Sequence, residues 1–295
     1  MQSLHKHSNQ EEPSNFLIGA LAWHGSVTPR ILFSVIVTGL YTFALAWIDA
    51  HYCKLPRFAV TPFEYTGAVL GLVLVFRTNS GHDRWWEARK FWGGIVNQSR
   101  NLLIMTASYG TNNQAWQQEM RKWIISFSFA AKESLRLKKD FDDLTDLLNA
   151  DEITQLQQAP HMPNFVAHKI ASLLESARFK QQLPELIWIE FEKQRSLLID
   201  YIGGCERILK TPMPLVYAIK VRRFILIYLL LLPFSFLNEA GLYSPLIAIL
   251  VAYPLLSLDR IGFELQNPFA IKNLSHLPLD TICQTIKNNG LALKI

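Results

Sequence analysis

Apolar and polar positions fall into long blocks along this chain, with no two-residue alternation of the kind that marks half-buried strands. Residues 31–48 (ILFSVIVTGLYTFALAWI) carry no charge and are bracketed by Arg30 and Asp49. That length is enough for a helix to cross a hydrocarbon core of about 30 Å. A second uncharged run, 65–76, ends on Arg77. Two more, 224–237 and 242–258, are parted by Asn238, Glu239, Ala240 and Gly241. These three are short for lone spanning helices, as expected where a helix enters the bilayer and leaves it again inside the protein.

Charge flanks give an orientation. Arg30 precedes the first run, Arg77, Arg84, Arg89 and Lys90 follow the second, Lys220, Arg222 and Arg223 precede the third, and Arg260 follows the fourth. Cytoplasmic loops of membrane proteins carry the excess of Lys and Arg, so both termini and the long middle segment are expected in the cytoplasm. A cleaved signal peptide is not expected, because about thirty mostly polar residues precede the first run. The reading is an all-α membrane protein with four transmembrane helices, at about 31–48, 62–80, 217–237 and 242–258. Residues 1–15 form a flexible cytoplasmic N-terminus, 16–83 the first helix pair, 84–213 a cytoplasmic helical bundle, 214–260 the second pair and 261–295 a cytoplasmic C-terminal segment. Within the bundle, 118–138 and 183–207 have helical periodicity. The acidic stretch 140–152 predicts a loop and a short helix capped by Asp151, 160–163 (PHMP) predicts a break between helices, and His161 and His168 are expected to flank a loop.

Composition sharpens this picture. Half of the 295 residues are hydrophobic and 18% are charged, against roughly 25% in average soluble domains. Disorder is excluded by the aliphatic and aromatic content. Cys53, Cys205 and Cys283 are far apart and give neither a disulfide framework nor a metal pair. A net charge of +5 is modest for a nucleic-acid binder, and no nucleic-acid partner is expected. The eight histidines form no H-x-x-x-H pair, and no P-loop, G-x-S-x-G or EF-hand loop is present. Asp142, Asp143 and Asp146 read as a solvated acidic face. Catalytic, cofactor and metal sites are therefore not expected, and the chain is not read as an enzyme.

The densest chemistry follows the second run: Asp83, Arg84, Trp85, Trp86, Glu87 and Arg89, with Lys90 and Trp92 just beyond. On a continuing helix, Trp85 and Arg89 are one turn apart, as in a cation–π pair, and Arg84 and Lys90 lie within reach of Glu87. Carboxylates mixed among aromatics and cations predict a polar packing network between helices or subunits, combined with an aromatic belt at the membrane surface. Along the apolar part of the same helix, Ala68, Leu72 and Phe76 recur at i, i+4 and i+8, with Gly67 and Gly71 beside them. Small residues on one face let helices approach closely. Spacing alone leaves core packing and pore lining both open.

Arg84-Trp85-Trp86-Glu87-Ala88-Arg89 resembles the R-W-W signature of the bestrophin family in its bacterial form. Gly203-Gly204-Cys205-Glu206-Arg207-Ile208 with Thr211-Pro212-Met213-Pro214-Leu215-Val216-Tyr217 is similar to the segment entering the third crossing. Gln266-Asn267-Pro268-Phe269 resembles the N-P-F motif after the fourth. Leu277-Pro278-Leu279-Asp280 resembles the tail of prokaryotic members. The resemblance implies an ion channel of five identical subunits around one pore, in contact with membrane lipids and most simply in the plasma (inner) membrane. By distance from Arg84, the resemblance puts the hydrophobic neck on Ala68, Leu72 and Phe76; counting back from Gly204-Cys205 and Pro214-Leu215-Val216-Tyr217, it puts a cytoplasmic constriction near Leu186. Glu64 stands at the outer mouth. The family implies chloride or bicarbonate as permeant ion, with a sodium-selective channel of the same fold as the alternative and a non-conducting membrane scaffold as the alternative of another class. Two departures matter. Ala68 is smaller than the usual aliphatic residue at the outermost neck position. The positions after N-P-F, Ala270-Ile271-Lys272-Asn273-Leu274-Ser275, hold no carboxylate, so calcium gating there is not expected.

Overall fold

The computed structural model describes residues 15–110 and 113–293, and among them no strand occurs. The N-terminal head expected to be flexible lies, apart from Asn15, outside the described residues. The helices are α1 (Phe16–Ala20), α2 (Thr28–His51), α3 (Thr61–Tyr109), α4 (Gln114–Arg136), α5 (Ala150–Gln158), α6 (Met162–Phe179), α7 (Glu185–Lys210), α8 (Leu215–Leu231), α9 (Pro233–Ala240), α10 (Ser244–Glu264) and α11 (Leu279–Ala292). Their contacts divide the chain into two units. One holds the described residues up to Asp83 together with Met213–Gln266 and Asn273–Ser275; the other holds the rest.

In the first unit, α2 is the one helix among the described residues that is long and apolar enough by itself to cross a membrane. Its buried positions, Ile31, Val35, Gly39, Thr42, Ala46 and Asp49, recur every three or four residues, and that stripe lies along α10. At Gly39 an added Cβ would sit 2.8 Å from the Ile249 side chain, so the missing side chain sets the spacing of the two helices. The other face of α2 exposes Phe33, Ile36, Leu40, Phe43 and Trp47. A second apolar core joins Leu70 and Leu74 of α3 to Val221, Ile225 and Leu229 of α8 and to Ala248, Ala252 and Leu255 of α10.

Specific contacts fix the helix directions. Arg30, at the start of α2, pairs with Glu264 at the end of α10. Arg77 of α3 pairs with Asp259 of α10, and Gly81, four residues further along α3, packs on Gly262 and Leu265, three and six residues beyond Asp259. The Tyr217 hydroxyl of α8 donates to the Val73 carbonyl (3.4 Å), and that of Tyr228 donates to Phe63 (3.2 Å). So α2 and α10 are antiparallel, α3 and α10 parallel, and α3 and α8 antiparallel. The four helices alternate in direction.

The third apolar run, expected as one helix over 217–237, is broken at Leu232 between α8 and α9. Pro233 has no N–H for the Leu229 carbonyl, so the α8 ladder stops there and the proline opens α9.

The second unit is built round α4, whose residues 123–131 are all buried. Trp116 and Trp123 meet Phe191 and Phe165 edge-on. The cap of α5 is Asn149, not Asp151. Asn149 accepts from the Glu152 N–H while the Glu152 carboxylate accepts from the Asn149 N–H, a reciprocal capping box. Asp151 sits in the first turn, where its charge favours the helix dipole. His161 caps α6: its Nδ1 accepts from the Asn164 N–H, and Nε2 lies 2.6 Å from Glu206. His168 lies inside α6, not beside a loop. Asp280 ties α11 to α4 through Arg136 (2.8 Å) and Lys132 (3.1 Å). Burial works against the Asp280 carboxylate, but these two cations outweigh it and hold its pKa at about 2. The acidic face is engaged in part, with Lys287 on Asp146 (2.6 Å) and Lys132 within 3.6 Å of Asp143. Among the described residues no group of three His, Cys, Asp or Glu is placed to hold a metal ion.

Candidate functional site

The first part of α3 has two faces. Leu70, Leu74, Arg77 and Gly81, spaced by three or four residues, are buried. On the other face Glu64, Ala68, Leu72, Phe76, Asn79 and Asp83 are exposed, with Leu72 at 55% and Phe76 at 57%. This stripe is apolar only in its middle, over Ala68, Leu72 and Phe76, and polar at both ends. Among the described residues of the first unit, nothing covers it. Core packing, one of the two readings left open by spacing, is therefore not its role within a single chain. The two glycines differ. Gly67 accommodates the Tyr228 hydroxyl, 2.7 Å from where a Cβ would stand, whereas Gly71 faces open space.

Behind Phe76 the next side chain turns the opposite way. Arg77 is fully buried, pairs with Asp259, and packs its Cγ 3.2 Å from where a Cβ on Gly262 would be. Asp259 also receives Arg222 at 3.1 Å. Two further guanidinium nitrogens of Arg77, Nε and Nη2, have no hydrogen-bond partner among the described residues. A second cluster sets Arg30 and Arg260 on the buried carboxylate of Glu264, which also accepts from the Leu274 N–H (3.0 Å). Both clusters escape the sequence reading, which treats these arginines only as flanking charges. The available signal was a pair of carboxylates, Asp259 and Glu264, directly after the fourth apolar run.

In the second unit, Arg84 donates to the Ile208 carbonyl and to that of Thr211 (2.9 Å), satisfying carbonyls at the C-terminal end of α7. Glu87 pairs with Arg207 of α7 at 2.6 Å, and the Arg207 guanidinium lies 5.9 Å from the Phe91 ring. The glycine pair explains how α3 and α7 come so close. A Cβ on Gly204 would stand 2.6 Å from the Phe91 ring, and one on Gly94 would stand 2.6 Å from the Tyr201 ring, while Gly203 meets nothing. Cys205 is fully buried in this contact, and burial pushes its thiol pKa up.

The network expected over 83–89 is thus divided. Arg84 and Glu87 join α7, Trp85 is half-buried with its ring 6.5 Å from that of the exposed Trp86, and Arg89 is exposed. Asp83 makes no hydrogen bond or ion pair among the described residues of this one chain. Trp92 is completely buried in the bundle core and takes no part in an aromatic belt. Leu186 lies in the first turn of α7 and is 80% exposed. The N-P-F turn closes on itself: the Asn267 side chain accepts from the Phe269 N–H (3.1 Å), Phe269 is fully buried, and the Pro268 carbonyl accepts from Leu277 (2.7 Å).

The chain matches the family model described as Bacterial/Fungal Bestrophin protein over residues 7–292. It is 31% identical over 291 residues to a voltage-dependent anion channel-forming protein of Synechocystis, covering 97% of this chain and 94% of that one. A protein of the same description from Nostoc is 36% identical over 225 residues, 75% of this chain and 73% of that one. Among solved structures, a singly substituted bacterial bestrophin homologue from Klebsiella pneumoniae superposes with a TM-score of 0.83 at 26% identity, over 92% of this chain and 99% of that one. The chain belongs to the bacterial and fungal bestrophin family.

Proposed function

We propose that copies of this chain assemble around one axis into an anion channel whose narrow part is lined by Ala68, Leu72 and Phe76. Family membership makes the protein a channel and not an enzyme, and the relatives named as anion channel-forming proteins make chloride or bicarbonate the first choice of ion. The observation that carries the neck is the uncovered α3 stripe, with Leu72 and Phe76 more than half exposed between polar ends. A lone helix cannot enclose a path, so closure requires symmetric repetition, and the family implies five copies. Four crossings are supported by the alternating directions of α2, the first part of α3, α8 and α10, with both termini in the cytoplasm and the assembly in the plasma membrane.

Rings of Leu72 and Phe76 hold no charge. They act on conduction through pore width and dewetting, and leave ion preference to groups at either end, Glu64 at the outer mouth among them. A cytoplasmic constriction at Leu186 fits its exposure at the start of α7. The test is single-channel recording of the purified protein in planar bilayers. Leu72→Ala and Phe76→Ala are each expected to raise unit conductance with little change in reversal potential. Unchanged or lower conductance in both variants refutes the neck. Reversal potentials in asymmetric NaCl read the sign of the ion and separate anion from sodium conduction. Absence of any ion flux in liposomes leaves the scaffold.

A further inference from the structure

We infer that Asp83 tunes the ion preference of the channel toward cations, by placing a carboxylate in the permeation path on the cytoplasmic side of Phe76. The inference rests on the reading of the α3 stripe as pore lining. Asp83 lies seven residues beyond Phe76, which returns it to nearly the same angular position on the helix and sets it about 10 Å further along. It is exposed, and it makes no hydrogen bond or ion pair among the described residues. Asn79, between the two, is exposed on the same stripe.

Among the described residues of the first unit no cation pairs with it, and the next cation on the same face of α3, Lys90, stands seven residues, about 10 Å, further along. Arg77 is buried on the opposite face against Asp259, and Arg222 shares that carboxylate. In the second unit the Arg84 side chain donates to the carbonyls of Ile208 and Thr211. Glu64 is also acidic, but it lies twelve residues on the other side of Phe76, about 18 Å away. Asp83 is therefore the charged group on this stripe nearest Phe76, at the inner end of its apolar part. Repeated around an axis, it concentrates cations and depletes anions at the inner end of the neck, and so shifts the permeability ratio toward cations.

The experiment measures reversal potentials across a salt gradient in planar bilayers, using the full chain. Asp83→Asn is expected to raise the anion-to-cation permeability ratio by about tenfold, the screened effect of a carboxylate ring on an axial ion. Asp83→Lys should raise it further, and Asp83→Glu should leave it near the wild-type value. The shift should shrink as salt is raised, because counterions screen a solvent-facing charge. The direction is the same whether the wild type favours anions or sodium. An Asp83→Asn or Asp83→Lys channel that conducts with the wild-type reversal potential overturns the inference. Phe76→Ala, recorded in parallel, separates the two levels. Raised conductance there with unshifted Asp83 variants removes Asp83 from the path and keeps the neck, whereas no effect from either removes the pore reading itself.

Discussion

Replacing Asp259 by Asn tests the energetics of the first unit most directly. Asp259 is the carboxylate partner of Arg77 and Arg222. The two arginines differ in how much they depend on it. Arg222 is half-exposed, and pairs of that kind are worth at most about 1 kcal/mol. Arg77 is fully buried with two donors already unpartnered, and removing one member of a buried pair costs about 3–5 kcal/mol because the remaining charge is left uncompensated. Asp259→Asn should therefore destabilise by about 4 kcal/mol, on the order of a 10 °C fall in Tm by the scaling for domains of this size. The reverse change should cost less. Arg77→Met leaves Asp259 with Arg222, and the double variant Arg77→Met with Asp259→Leu removes the pair into an apolar core, a replacement that is often neutral. The assay is thermal unfolding in detergent, followed by tryptophan fluorescence and by loss of the oligomer on size exclusion. Asp259→Asn within 1 °C of the wild type, or a double variant no better than Asp259→Asn, would refute the argument that an unpaired Arg77 carries the cost.

Asp280 should make stability depend on acid. Its folded pKa of about 2 lies below the unfolded value, so its contribution is complete above about pH 4 and is lost as pH falls through about 2. Half its side chain is exposed, which limits the effect to about 1 kcal/mol; Asp280→Asn should lose that much at pH 7 and progressively less as pH falls through about 2, with no loss well below it, read as unfolding against pH. The adjacent glycines of α7 should behave oppositely. Gly204→Ala must displace the Phe91 ring and should cost about 1–3 kcal/mol, whereas Gly203→Ala meets nothing and should stabilise the helix by up to about 1 kcal/mol. Equal effects at the two sites in denaturant unfolding would show that the α3–α7 contact is looser than these distances require.

The helices were legible where periodicity is long. The stretches 118–138 and 183–207 fall almost wholly within α4 and α7, because an amphipathic pattern over six turns has no competing reading. Caps were less legible: Asn149 and Asp151 are both good capping residues, and only the reciprocal bond with Glu152 decides between them. The exposed stripe of α3 could be located by spacing, but its exposure depends on which neighbours fill the opposite face, and those come from residues 213–266. For the same reason Arg77 read as a flank charge. Its burial follows from Asp259, 182 positions away, and no local pattern announces a pair of that separation.

The ionic clusters and the charge flanks concern the same side chains at two stages. Lys and Arg near helix ends orient a segment during insertion, and acidic residues contribute little to that choice. Arg30, Arg77, Arg222 and Arg260 can therefore act as orienting charges while the chain is still extended, even though each later meets a carboxylate. Once the helices pack, Arg77 would be costly as an unpaired buried charge and Asp259 offsets it, while the buried Glu264 is offset in turn by the partly exposed Arg30 and Arg260. Lys220 and Arg223 remain exposed and keep positive charge on that side. Placing both carboxylates at one end of α10 has a further consequence. The start of α2, Arg77 of α3, Arg222 of α8 and the end of α10 must all lie at one level, and a helix shifted by a turn would strand Arg77 without its partner. The register of α3, and with it the level at which Leu72 and Phe76 present their side chains, is thereby tied to α10 and not left to apolar packing alone.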